Sequence, residues 1–211
     1  MGIIIDKKIN NDYRLGVWKI TEDYDYLLSQ LNLKEEDLKR VESYKSPMRR
    51  LEWLSVRLLL KTLLKRDMHI YYNGNRKPFL IDKYHNISIS HSDHYTSVLL
   101  CKSGHSAGID IEKMKPKIEY IAPKFLKQEE MENIYKNQKI YHLYLHWCAK
   151  EALYKLFDKR NISFRDNITI EPFVPADRGV IYGKLENEDI NARIKLNYFY
   201  LDNYSFVWCY K

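Results

Sequence analysis

The run YHLYLHWCAKEALYKLF, residues 141–157, decides how the chain is put together. Its apolar residues recur at three- and four-residue steps, which predicts a long amphipathic helix. Four strand-like runs follow it: NITIEPF, GVIYGKLE, ARIKLNYFY and YSFVWCY. An earlier segment of the same kind, SPMRRLEWLSVRLLLKTLLKR at 46–66, carries Ser46 as N-cap and Pro47 at the first helical position. It too leads into strands, NISIS, YTSVLLC and AGIDIE, after the turn-rich stretch YYNGNRKPF. Ahead of it, GIIID and RLGVWKI read as short strands and a helical stretch starts near Asp23, while Pro116 and Pro123 punctuate the passage into the second helical region. The order helix then strands thus occurs twice, without a residue-level repeat. Strands grouped apart from helices, with no regular βαβ alternation, predict an α+β fold with largely antiparallel sheets.

The chain has 211 residues, enough to bury a sizeable core in one domain or two packed halves. Its hydrophobic fraction of 45% and its 18 tyrosines exclude a disordered chain. A net charge of +7 favours anionic partners without choosing among them. Basic residues are interspersed with acids and no reader motif appears, which argues against nucleic acid. Cys101, Cys148 and Cys209 are odd in number and far apart, so they read as reduced, buried side chains of a cytoplasmic protein. The opening MGIIIDKKIN has too short an apolar run for a leader or a span, and no membrane anchor is expected.

GIDIEK, residues 108–113, sets Asp110 and Glu112 on one face of a strand and Ile109 and Ile111 on the other. Paired acids repel unless a cation sits between them; the alternative is a half-exposed strand with acids on its wet face. On the predicted helix, Glu151 lies one turn after Trp147 and one turn before Lys155. Alone, Glu151 and Lys155 form a common helix ion pair; beside Asp110 and Glu112, Glu151 supplies a third oxygen ligand for a magnesium ion. Basic and hydroxyl groups suited to phosphate stand in NRKPF (Lys77), SISHSD (Ser90, His91 and Ser92) and MRRLEW (Arg49 and Arg50).

Read in order, RKPF, SISHS, GIDIEK and WCAKEALYK resemble the motifs of the 4′-phosphopantetheinyl transferases of the Sfp type, over most of the chain from about Arg49 to Lys155. The resemblance implies a pseudo-twofold α+β fold of two similar halves, 1–105 and 106–211, each a small antiparallel sheet packed on a long helix, with coenzyme A bound between them. It implies a monomeric, magnesium-dependent holo-carrier-protein synthase that moves the 4′-phosphopantetheine group of coenzyme A to a serine of an apo acyl or peptidyl carrier protein and releases 3′,5′-adenosine bisphosphate. Asp110, Glu112 and Glu151 would then hold the metal, Lys155 would contact the phosphates and His91 the pyrophosphate. Lys77 and Ser90 would hold the nucleotide end, Arg50 or Arg49 the 3′-phosphate, and Glu151 or Glu129 would be the general base. Two positions depart from the family: Ser88 where asparagine is common, and Arg76 where glycine precedes the lysine-proline pair. The reading from another class is a non-catalytic coenzyme A or anionic-ligand binding module on the same fold.

Overall fold

A computed structural model describes residues 2–158 and 161–211. Two compact units divide the chain, Met1–Gly104 and His105–Lys211.

In the first unit, β1 (Ile3–Lys8) and β2 (Tyr13–Lys19) are followed by α1 (Tyr24–Ser29), α2 (Glu35–Ser43) and α3 (Pro47–Leu64), then by β3 (Tyr71–Tyr72), β4 (Pro78–Phe79), β5 (His85–Ser92) and β6 (Tyr95–Lys102). Helix α3 starts where its sequence says it should: the Ser46 hydroxyl accepts from the Arg49 N–H at 3.3 Å and Pro47 takes the first turn. Lys65, in the left-handed region at φ 56°, ends it. The sheet runs β1-β2-β6-β5 and every pairing is antiparallel. Helix α3 lies on β2 and β6, and its residues Trp53, Leu54, Leu59, Leu60 and Leu63 form the core with Trp18, Ile87 and Val98 of the sheet.

The second unit begins with β7 (Ala107–Lys113), continues through α4 (Ile118–Phe125), α5 (Gln128–Glu132), a 3-10 turn and α6 (Lys139–Phe157), and ends with β8 (Ile168–Ile170), β9 (Arg178–Glu186), β10 (Asn191–Leu201) and β11 (Tyr204–Tyr210). Its sheet runs β7-β11-β10-β9-β8, again antiparallel. Asp202 and Asn203, both at positive φ, close the two-residue hairpin between β10 and β11. Along β9, Ile181 and Leu185 alternate with exposed residues, and they meet Ala149, Leu153 and Leu156 of α6 in one core.

The expected α+β architecture with antiparallel sheets is therefore present, and each unit packs its sheet on one long helix. A shared rule links the two topologies. In each, the strand just before the helices pairs with the unit's last strand, which pairs in turn with the one before it. Pro123 differs from expectation, lying inside α4 instead of between elements. It stands near the end of a short helix that stops two residues later, so only one N–H is forgone there. All three cysteines are free and buried. Among the described residues no helix is long and apolar enough to cross a membrane.

Candidate functional site

Strand β7 brings its two acids to one face, as period two requires, with Ile109 and Ile111 fully buried behind them. Asp110 is buried and Glu112 partly so. Helix α6 delivers the other two charged groups. Lys155 Nζ donates to Asp110 Oδ1 at 2.7 Å and to the Ile109 carbonyl at 3.0 Å. Burial works against the Lys155 charge, yet Asp110 and Glu151 outweigh it and raise its pKa. Glu151 goes the other way. Burial and the Asp110 and Glu112 carboxylates, opposed by Lys155, push its carboxyl up to about 7. Strand and helix acids thus feel one another, which is the tertiary meeting that no sequence spacing can supply.

Gly108 explains how α6 comes so close. A Cβ built there would lie 1.9 Å from the Ala152 carbonyl oxygen, an impossible approach to backbone. The glycine of GIDIEK therefore sets the spacing between β7 and the turn of α6 that carries Glu151 and Lys155. Gly108→Ala is expected to force α6 off the sheet and destabilise the protein by about 3 kcal/mol or more, the upper end for overpacking. A denaturation midpoint near wild type would refute that spacing role.

Three carboxylates form a hard-oxygen donor set whose mutual repulsion a divalent cation would relieve, so these residues fit magnesium in kind. Among the described residues, no group of three or more His, Cys, Asp or Glu side chains is already disposed as a metal cage. The Lys155 ammonium is the cation that Asp110 contacts.

The other predicted residues stand on other elements. Glu129 is exposed on α5, whereas its neighbour Glu130 turns inward. In the first unit, His91 stands near the end of β5 with Nδ1 3.1 Å from Glu52, and Arg49 contacts the same ring. Arg50 turns away, its Nε and Nη2 donating to the Tyr44 and Glu42 carbonyls at 2.8 and 2.9 Å. Ser90 is buried on β5, and its carbonyl accepts from the Ser97 hydroxyl at 3.1 Å. Lys77 lies in the β3–β4 connection, pinned by the Asn73 side chain, which accepts from its N–H at 2.9 Å. Arg76, just before it, has φ 63°, a backbone reason for glycine to suit that place.

Sequence reasoning missed the groups that hold this arrangement from inside. Lys150, next to Glu151, is wholly buried and donates to Glu130 Oε2 at 2.7 Å and to the carbonyls of Phe125, Phe164 and Ile168. Burial alone would raise the Glu130 carboxyl, but His146, Lys150 and the Ile170 N–H pull it down to about 2. Glu130 also accepts from the Lys127 N–H at 2.9 Å, closing the first turn of α5. One signal was available: a lysine flanked by Cys148, Ala149, Ala152 and Leu153 has little polar helix face to occupy.

Comparison with known proteins agrees with the motifs. Residues 106–209 match the 4′-phosphopantetheinyl transferase superfamily, so the second half of the chain carries that superfamily's sequence pattern. A Synechocystis sp. protein provisionally named a 4′-phosphopantetheinyl transferase is 26% identical, over 85% of this chain and 80% of its own.

Proposed function

We propose, from its likeness to the 4′-phosphopantetheinyl transferase superfamily, that this chain transfers the phosphopantetheine arm of coenzyme A to a carrier protein. The observation that carries the reading is the convergence of Asp110, Glu112, Glu151 and Lys155, four charged residues of the two most specific motifs, at the contact of β7 and α6. In this reading the serine oxygen of an apo acyl or peptidyl carrier forms a bond to the β-phosphorus of coenzyme A. The bond from that phosphorus to the bridging oxygen breaks, and 3′,5′-adenosine bisphosphate leaves. The serine proton passes to Glu151 or Glu129. Lys155 offsets charge on the phosphoryl oxygens, and His91, Ser90 and Lys77 bind the rest of the coenzyme. Asp110, Glu112 and Glu151 would hold magnesium, which when bound supplies charge stabilisation to the pyrophosphate. The net charge of +7 would draw acidic carriers at low salt, and the resemblance to the family implies a cytoplasmic monomer.

The test is direct. Apo carriers of the acyl and peptidyl kinds, mixed with the protein, coenzyme A and magnesium, should gain one phosphopantetheinyl mass on a serine, and lose it when that serine becomes alanine. A broad panel left unmodified while coenzyme A still binds would replace this reading with a binding module.

Coenzyme A selectivity separates the two arginines. Whichever alanine variant loses the preference for coenzyme A over its 3′-dephospho form held the 3′-phosphate, at about 1.5 to 3 kcal/mol per charged hydrogen bond. Arg50→Ala is also expected to lower the melting temperature, because its guanidinium ties the Glu42 and Tyr44 carbonyls to the start of α3. A melting temperature as high as wild type would show that tie to be idle.

A further inference from the structure

Asp110 would have to serve two cations. In the reading above its carboxylate helps to hold a divalent ion, yet it already holds a positive charge of the chain's own. Lys155 Nζ donates to its Oδ1 at 2.7 Å and to the Ile109 carbonyl at 3.0 Å. The other oxygen, Oδ2, is enclosed. A cation arriving from outside therefore meets Asp110 at the oxygen that the ammonium occupies. Glu112 and Glu151 are only partly buried, and Lys155 reaches the same cluster from one turn beyond Glu151 on α6. Three carboxylates gathered at one place repel one another unless a positive charge stands among them, and burial sharpens that repulsion. The ammonium is the charge that stands there.

We infer that Lys155 is a resident counter-ion that competes with the divalent cation for Asp110, so that metal entry frees its ammonium for the phosphates of the coenzyme. That role rests on the reading above, in which Asp110, Glu112 and Glu151 would hold magnesium. Two cations brought to one carboxylate oxygen repel each other, and the doubly charged one gains more from three acids than the ammonium does. Lysine suits the part because its charge is a compact point on a flexible four-carbon stem, able to leave one oxygen for another. Phosphoryl oxygens arriving with the coenzyme offer it a charged acceptor in exchange. Before metal and coenzyme arrive, the same ammonium keeps the strand acids and the helix acid together. A lysine that merely tied α6 to β7 would keep its grip on Asp110 whether or not a metal was present.

Manganese(II), a paramagnetic stand-in for magnesium, measures the competition on the free protein by spin resonance. Lys155→Met should bind it about tenfold tighter than wild type, a low figure for removing a positive charge a few ångströms from a divalent ion. Lys155→Arg, still charged, should bind it as wild type does. A methionine variant that binds manganese no tighter than wild type, or an equal gain in both variants, overturns the proposal. Nitrogen-15 NMR of the lysine ammonium groups follows the displacement in wild type, with Lys155→Arg identifying the signal by its loss. Without metal the Lys155 ammonium should exchange its protons slowly with water; magnesium, with no coenzyme A present, should speed that exchange and move the signal toward those of exposed lysines. A signal that keeps its slow exchange as magnesium is added overturns the proposal, and it decides the matter alone if the methionine variant fails to fold. Neither measurement uses transfer. A protein that meets both expectations yet modifies no carrier keeps this role for Lys155 and loses the transferase reading. One that modifies carriers while binding manganese no better without Lys155 loses only this role.

Discussion

Asp110→Asn should cut carrier modification by about a thousandfold, roughly 4 kcal/mol of lost charge stabilisation, while the protein stays folded. Asparagine keeps the size of a buried side chain and an acceptor oxygen for Lys155, which donates to Asp110 at 2.7 Å and to the Ile109 carbonyl as well. What disappears is one of the three negative charges that, in the proposed reading, would hold a hard cation together with those of Glu112 and Glu151. Intact-mass rates on an apo carrier at saturating coenzyme A, with circular dichroism as the control for folding, measure both halves of this expectation. A rate within tenfold of wild type would remove Asp110 from the chemistry. Wild-type rates in thoroughly chelated buffer would remove the metal.

The largest loss of stability is expected at Lys150. Lys150→Met strands the buried Glu130 carboxylate and leaves the carbonyls of Phe125, Phe164 and Ile168 without that donor. Breaking a buried pair from one side costs about 3 to 5 kcal/mol, whereas replacing both partners by apolar groups costs far less. Glu130→Leu combined with Lys150→Met should accordingly recover part of the loss, and urea denaturation of the single and double variants measures it. A single-variant loss below about 1 kcal/mol would be typical of a surface pair and would contradict the burial argument. Acidification gives a second handle. Glu130, ordinarily near 4.5 and held at about 2, contributes stability in full above 4.5 and loses it as pH falls toward 2. His142, lowered by burial and by His146 from 6.5 to about 4, stays neutral in the fold while the unfolded chain takes up a proton. Its contribution is complete above 6.5 and lost on the way down to about 4. Stability should therefore begin to fall below pH 6.5, and Lys150→Met should flatten the part of that fall due to Glu130.

Local signals were readable wherever a single element decides the outcome. The Ser46-Pro47 start of α3 and the alternation of Ile109, Asp110, Ile111 and Glu112 need only a cap and a period. That Asp110 and Lys155 belong to one place was implied by the family resemblance of their motifs and not by spacing, and their 2.7 Å contact depends on Gly108 lying against α6. Groups whose role is fixed by what packs over them were not readable. In QEEME, residues 128–132, nothing local distinguishes Glu129 from Glu130. Only the placement of α5 over Lys150 and the Ile170 N–H turns the second inward and leaves the first exposed. Glu52 was hidden for the same reason, since its histidine partner comes from a strand some forty residues later.

The burial of Lys150 also makes it a built-in reporter of opening. Its ammonium has no surface for an acylating reagent to reach, whereas Lys124 of the same unit is exposed. Amine labelling of the native protein should therefore mark Lys124 early and Lys150 only when the second unit transiently unfolds. The ratio of the two labelling rates, read peptide by peptide, then gives the free energy of that opening without denaturant.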